Sequence, residues 1–270
     1  MPEPVRFFDG TPPRVIAHRG LARGAAENTI GAFRAALDAG ADILETDVHG
    51  SADGVAVICH DDDLSRIAGV ADPVEALPMR ELLALELVHG GRLATLAEAL
   101  SEFPDARFNI DIKTDAALSP TIDAIRDAGA EPRVLVTSFG QRRRRRALRA
   151  LTGAATSAST PGAFLAVIGT RLRLPALVRL GLRAVDAVQI PRRHRGVTVL
   201  TPSFVRAVHD AGREVHVWTV NDPDEMREVL SMGVDGIVSD RCDLLAAVLA
   251  ESSRRDAPAT DGRENHLKGD

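Results

Sequence analysis

Two stretches, Ile43-Leu44-Glu45-Thr46-Asp47 and Asn109-Ile110-Asp111-Ile112-Lys113, decide the fold. Side chains alternate between the two faces of a strand, so Glu45 and Asp47 share one face while Leu44 and Thr46 share the other. Likewise Asp111 and Lys113 face one way, and Ile110 and Ile112 the opposite way. The apolar faces can pack on outer helices, which leaves the ionisable faces pointing into a barrel. Ionised groups there are costly unless they are paired, metal-bound or at a wet mouth. The mouth of a parallel barrel, at the carboxyl ends of its strands, meets that condition.

Working outward, short β-branched runs alternate with amphipathic segments along the chain, the pattern of parallel α/β folds. Eight candidate strands are Val15–Gly20, Asp42–His49, Arg107–Lys113, Arg133–Phe139, Gly153–Ser159, Ala184–Pro191, Glu214–Val220 and Asp235–Ser239. They predict an α/β fold, a TIM-type (β/α)8 barrel with a small insertion after the second strand. Ser119-Pro120, Thr201-Pro202 and Asp222-Pro223 read as helix caps followed by a proline at the first helical position. Thr95 with Glu98 reads as a capping box, and Asp222 with Glu225 resembles one. Gly40, Gly212 and Gly233 stand where helix C-caps belong. A further run, Val55–His60, follows Asp53-Gly54, a strong hairpin signal. Folding the chain there brings His60 back level with Glu45 and Asp47. Residues from about 61 to 94 form the insertion. A single barrel domain is expected over 1–251, and the polar stretch 252–270 reads as a disordered tail.

Composition narrows the function. The chain has 270 residues, 45% hydrophobic and 26% charged, which suits one globular barrel of ordinary size. A formal charge of -5 argues against a nucleic-acid partner held by phosphate contacts. No apolar run is long enough to span a bilayer, and the N-terminal stretch lacks an apolar signal core. A cytoplasmic location without stable membrane insertion is therefore expected. Cys59 and Cys242 are too few for a disulfide framework and read as unpaired thiols. The run Arg142–Arg146 reads as a solvated helix face, with an anionic surface or lipid site as the alternative. Nothing in the sequence defines the oligomeric state.

The chemistry gathers late in the strands. Glu45, Asp47, Asp111 and Lys113 all lie there, as does His18 after Val15-Ile16-Ala17. Three carboxylates close together raise each other's pKa, and a bound divalent cation removes that repulsion. Oxygen ligands favour a hard ion, Mg²⁺ or Ca²⁺, over Zn²⁺. The basic residues are almost all arginine, so a lysine at 113 stands out. An ammonium is a compact point charge suited to a phosphate oxygen. His18 and His60 are candidates for general acid and base, since imidazole titrates near neutral pH. Either alone reads as structural; beside three acids, Arg19 and Lys113, both read as functional. His216 could point inward with Trp218.

The ordered run His18-Arg19-Gly20, Glu27-Asn28-Thr29, Glu45-Thr46-Asp47, Asp53-Gly54 and His60-Asp61 resembles the glycerophosphodiester phosphodiesterase family. Asn109–Lys113, Ser138-Phe139, Trp218–Asn221 and Gly233–Ile237 continue the resemblance more weakly. It spans about residues 15 to 245. It implies that Glu45, Asp47 and Asp111 hold a divalent metal, that His18 and His60 act as acid and base, and that Arg19 and Lys113 contact the phosphate. It further implies that Glu27 lies at the mouth, near the metal or the glycerol hydroxyls, and that Phe139 and Trp218 wall the glycerol or leaving-group side. Three positions depart from the family pattern: Asp111 replaces the more frequent Glu, Ala26 replaces a Pro, and Ser239-Asp240-Arg241-Cys242 lacks a proline after its acid.

The expected activity is metal-dependent hydrolysis of a small-molecule glycerophosphodiester to sn-glycerol 3-phosphate and an alcohol. The nucleophile is water, or first the glycerol 2-hydroxyl with a cyclic phosphate between. A phospholipase-type enzyme acting on lysophospholipid or inositol lipid is one alternative, with Leu82-Leu83-Ala84-Leu85 as a possible apolar entrance. A non-catalytic barrel that binds phosphorylated ligands is the other.

Overall fold

The computed structural model describes residues 5–256. Eight parallel strands form the barrel: β1 (Arg14–His18), β2 (Ile43–Gly50), β3 (Arg107–Ile112), β4 (Val134–Thr137), β5 (Ala155–Thr156), β6 (Ala187–Pro191), β7 (Glu214–Trp218) and β8 (Gly236–Ser239). Hydrogen bonding runs in the order β6-β7-β8-β1-β2-β3-β4-β5. The cylinder closes through one parallel bridge, Ser157 to Ala187. Two hydrogen bonds flank it, from Ala158 N to Ala187 O (2.9 Å) and from Asp186 N to Thr156 O (2.8 Å). All eight expected strands are present; the fifth is the most shortened, to two residues.

Alternation sorts the side chains as expected. Leu44, Ile110, Ile112, Val136 and Val217 join the large cluster between sheet and helices. Ile16, Ile43, Leu135, Ala187 and Val238 fill the barrel interior with Phe7, which plugs its amino-terminal end. At that end Arg14, 3% exposed, makes two bonds to Glu214 (3.0 and 2.9 Å) and donates to the carbonyls of Phe8 and Asp9.

Thr29, Thr95, Thr201 and Asp222 cap their helices by accepting backbone N–H bonds. Ser119 does not. Its helix, Leu118–Asp127, begins two residues earlier than expected and puts Ser119 inside the first turn. The Thr114 hydroxyl, which accepts from Ala117 N at 3.3 Å, already turns the chain there. Gly40, Gly212 and Gly233 all adopt positive φ, as C-cap glycines do. The final helix, Cys242–Asp256, continues past residue 251, where the barrel was expected to end. The rest of the expected tail, 257–270, lies outside the described residues.

The hairpin forms about Asp53-Gly54, and the strand Ala56–Ile58 runs back antiparallel to the end of β2. Cys59 N then donates to Asp47 O at 3.0 Å, which delivers His60 to the mouth. The insertion builds a small core of its own, in which Leu64, Val74, Met79, Leu82, Leu87 and Leu93 pack under the hairpin. In the leucine run, Leu82 is buried and Leu85 is packed against that core, while Leu83 is exposed.

Candidate active site

Strand register brings the site together. In parallel pairs, His18 lies beside Glu45, and Asp47 beside Asp111. Neighbours in a parallel register point to the same face, so all four side chains enter the barrel near its carboxyl end. Arg19 follows β1 with φ 57, and Gly20 follows with φ +81. This tight turn points Arg19 N at both the backbone oxygen (3.0 Å) and Oε2 (3.1 Å) of Glu45. Gly20 is required for close approach as well as for its dihedral, since a Cβ there would lie 2.7 Å from the carbonyl carbon of Ala32.

The charged groups form one connected network. Lys113 Nζ bridges Asp47 Oδ1 (2.7 Å) and Asp111 Oδ2 (2.8 Å). Arg19 Nε reaches Asp47 Oδ2 at 3.2 Å, and Arg19 Nη1 donates to Glu27 at 2.9 Å. Glu27 also accepts from Arg66 (2.6 Å), whose Nε donates to Asp61 (2.6 Å). Asp61 in turn holds His60 through Nδ1 at 2.6 Å. His18 is held the same way, through Nδ1 to Asp240 at 2.6 Å, and Asn221 steadies Asp240. Each imidazole is thus fixed through one nitrogen, leaving Nε2 for chemistry.

Asn28 supports this face from below. Its amide donates toward Asp47 (3.4 Å) and accepts from Thr46 (2.8 Å). An open cleft of about 530 Å³ is lined by His60, Asp61, Arg66 and Lys113 among others. Phe139, 63% exposed, stands at the mouth with Lys113 Nζ 5.9 Å from its ring centroid. Trp218 is half-buried against the interior cluster, in register with Pro191.

Burial, with Asp47 beside it, pushes the Glu45 carboxyl up to about 8. Burial also pushes Asp111 up, against the pull of Lys113. Asp47 moves the other way, because Lys113 and Arg19 outweigh its burial. Burial pulls the His18 pKa down, but the hydrogen bond to Asp240 and the charge of Glu45 outweigh it, and the net shift is upward.

Whether these residues suit a divalent cation can be tested on their own unmet needs. Asp111 Oδ1 and Asn109 Oδ1 are buried without a hydrogen-bond partner. Glu45 is forced towards neutrality at a position rich in oxygen donors. Both observations fit a hard cation. Among the described residues no three acidic, histidine or cysteine groups already form a metal cage, since Lys113 stands between Asp47 and Asp111.

Residues 18–244 match the model of the glycerophosphoryl diester phosphodiesterase family. The chain belongs to this family. Family members similar to it include probable glycerophosphodiester phosphodiesterase 2 of Mycobacterium tuberculosis, 45% identical over 236 residues, or 87% of this chain and 89% of that protein. A glycerophosphodiester phosphodiesterase of Caldanaerobacter subterraneus is 28% identical over 84% of this chain and 93% of its own. The crystal structure of a glycerophosphodiester phosphodiesterase from Agrobacterium tumefaciens superposes with a TM-score of 0.71 at 27% identity, covering 87% of this chain and 98% of that one.

Every site residue expected from the sequence lies at this mouth or on its rim. Three participants were not assigned beforehand. Asp240, the first residue beyond β8, clamps His18. Arg66, from the insertion, links Glu27 to Asp61. Asn28 belongs to the Glu27-Asn28-Thr29 motif, which by itself gives it no role. Asp240 satisfies the rule that picked out the other acids, a polar group at the carboxyl end of a strand.

Proposed function

We propose that the protein hydrolyses glycerophosphodiesters to sn-glycerol 3-phosphate and an alcohol with a divalent metal, Mg²⁺ or Ca²⁺, held by Glu45, Asp47 and Asp111. The observation that carries this reading is the pair of carboxylate-clamped histidines at one mouth with three acids, Arg19 and Lys113. When bound, the metal supplies positive charge that polarises the phosphoryl oxygens. Arg19 and Lys113 add fixed charge where the transition state becomes more negative. One of His18 and His60 takes the proton of the attacking hydroxyl or water, and the other gives a proton to the leaving alkoxide. The bond from phosphorus to the leaving oxygen breaks as the new one forms, and water is consumed overall. Phe139 and Trp218 wall the side that receives the glycerol or the leaving group. Two free, buried thiols, Cys59 and Cys242, accord with a cytoplasmic setting.

The test is turnover of a panel of water-soluble glycerophosphodiesters with Mg²⁺, with Ca²⁺ and with EDTA. Release of sn-glycerol 3-phosphate that EDTA abolishes is the expected result. Equal rates with and without chelator on every substrate would remove the metal-dependent reading.

A further inference from the structure

From Gln141 to Val185 the chain carries ten arginines and no acidic residue, although the whole chain is net negative. This stretch contains the helix Gln141–Ala150 and two short helices, Thr160–Arg171 and Pro175–Gly181. The two short helices fold back on each other as a hairpin. A Cβ on Gly162 would lie 2.5 Å from Gly181 O, and one on Gly169 would lie 2.8 Å from Val178 N. The glycines therefore permit very close helix packing, and larger side chains are displaced to the outside.

Those outward side chains are apolar and basic together. Phe164 (63%), Leu172 (61%), Leu174 (49%) and Leu180 (58%) are exposed. Residues 171–176, Arg-Leu-Arg-Leu-Pro-Ala, are exposed without interruption at the hairpin tip. A single exposed leucine carries no message, but several on one acid-free element do. Arg144 ties the first helix to the hairpin by donating to Ser159 Oγ at 3.1 Å. Arg171 donates to Thr198 O at 2.8 Å, which joins the tip to the small β-hairpin of Arg193–Thr198 with its exposed Val197. Among the described residues, none of Arg142, Arg145, Arg146, Arg173, Arg179 and Arg183 has an ion-pair partner. Within the run Arg142–Arg146, Arg143 is paired with Asp115 at 2.8 Å, and Arg142, Arg145 and Arg146 are left to solvent.

We propose that this hairpin, with the arginine helix beside it, docks the protein on an anionic lipid bilayer. Exposed arginines attract acidic headgroups, and Phe164 and the leucines enter the interfacial layer, the division of labour found in interfacial helices. A nucleic acid would reward the arginines but not the apolar side chains. The arginine helix begins beside the mouth, where Arg143 donates to Ile112 O at 3.1 Å. Arg145, Arg146, Leu172 and Leu174 are nevertheless exposed and make no contact with the site groups of the mouth, so docking stands or falls separately from the hydrolytic reading.

The test is co-sedimentation of the full chain with vesicles of phosphatidylcholine, alone or with one-third phosphatidylglycerol. Binding only to the anionic vesicles, weakened by salt, is expected. Each arginine near such a surface contributes about 1 kcal/mol, roughly 5-fold, so R145A/R146A should partition about 25-fold less. L172S/L174S should lose about 10-fold or more while keeping both charges. Turnover of a soluble glycerophosphodiester, or the circular dichroism spectrum if there is none, should match wild type in both variants and shows that they fold. No sedimentation with anionic vesicles at about 0.1 M salt would overturn the proposal. So would tight binding to duplex DNA, together with vesicle binding that L172S/L174S leaves unchanged.

Discussion

Asp240 shows how far strand alternation reaches and where it stops. The inward placement of Glu45, Asp47, Asp111 and Lys113 was legible because each strand carries its own two-residue period. The partner of His18 was not. It comes from the far end of the chain and reaches His18 only because β8 pairs with β1, Ala17 beside Ser239. We expect Asp240→Asn to lower kcat by about 10- to 100-fold, as loss of an orienting partner does. Because Asp240 helps hold the His18 pKa up, the limb of the pH–rate profile set by His18 should also move to lower pH. A purely structural role would leave that limb in place. His60→Ala should cost about 10²–10⁴ in kcat with metal present. Steady-state kinetics on a soluble diester checks both variants, and wild-type turnover of His60→Ala would end its assigned role.

At the level of elements, turns and caps were easier to read than interactions between elements. Asp53-Gly54 marked the hairpin, and Thr95, Thr201 and Asp222 marked helix starts, because each signal is contained in a few neighbouring residues. Ser119 misled because Thr114, outside the expected motif, turned the chain first. The insertion was unreadable for a related reason. Its short pieces have no sustained period and gain order by packing on one another and on Val57 and Cys59 of the hairpin arm. The β1–α turn supports a sharper expectation. Gly20→Ala places a methyl against the Ala32 backbone and forces an L-residue to φ +81. It should destabilise the protein by about 2–4 kcal/mol in urea unfolding. The Arg19 N–H bonds to Glu45 should loosen with it, so activity should fall even where the variant folds.

For the whole molecule, the number and direction of the strands were legible, but not how the barrel is sealed. Its amino-terminal end is closed by Phe7 and by Glu214, which is paired with buried Arg14 and hydrogen-bonded to His216. Burial alone would raise the Glu214 pKa, but hydrogen bonds from His216 and Arg14 outweigh it and hold it down to about 2. A depressed carboxylate contributes stability in full above its ordinary pKa and loses it as pH falls through the depressed one. Glu214→Gln should therefore cost about 3 kcal/mol near neutrality. The gap from wild type should close between the ordinary glutamate value and about pH 2, which denaturant melts at stepped pH would reveal; a gap independent of pH would refute this role. The opposite wall is sealed differently. The backbone there is joined by the Ser157–Ala187 bridge and two flanking bonds, helped by side-chain bonds from Thr156 N to Asp186 Oδ2 (2.9 Å) and from Ser157 Oγ to Gln189 Oε1 (3.2 Å). The cylinder therefore behaves as a rolled sheet with a latch, and the latch is the place where it would first come undone. Amide hydrogens of Ala158 and Asp186 should then exchange with solvent well before those of Ile16 and Leu44 on the facing side. The arginine-bearing hairpin begins at this latch, so the barrel could yield where it meets other bodies while the charged mouth held by β1, β2 and β3 keeps its shape.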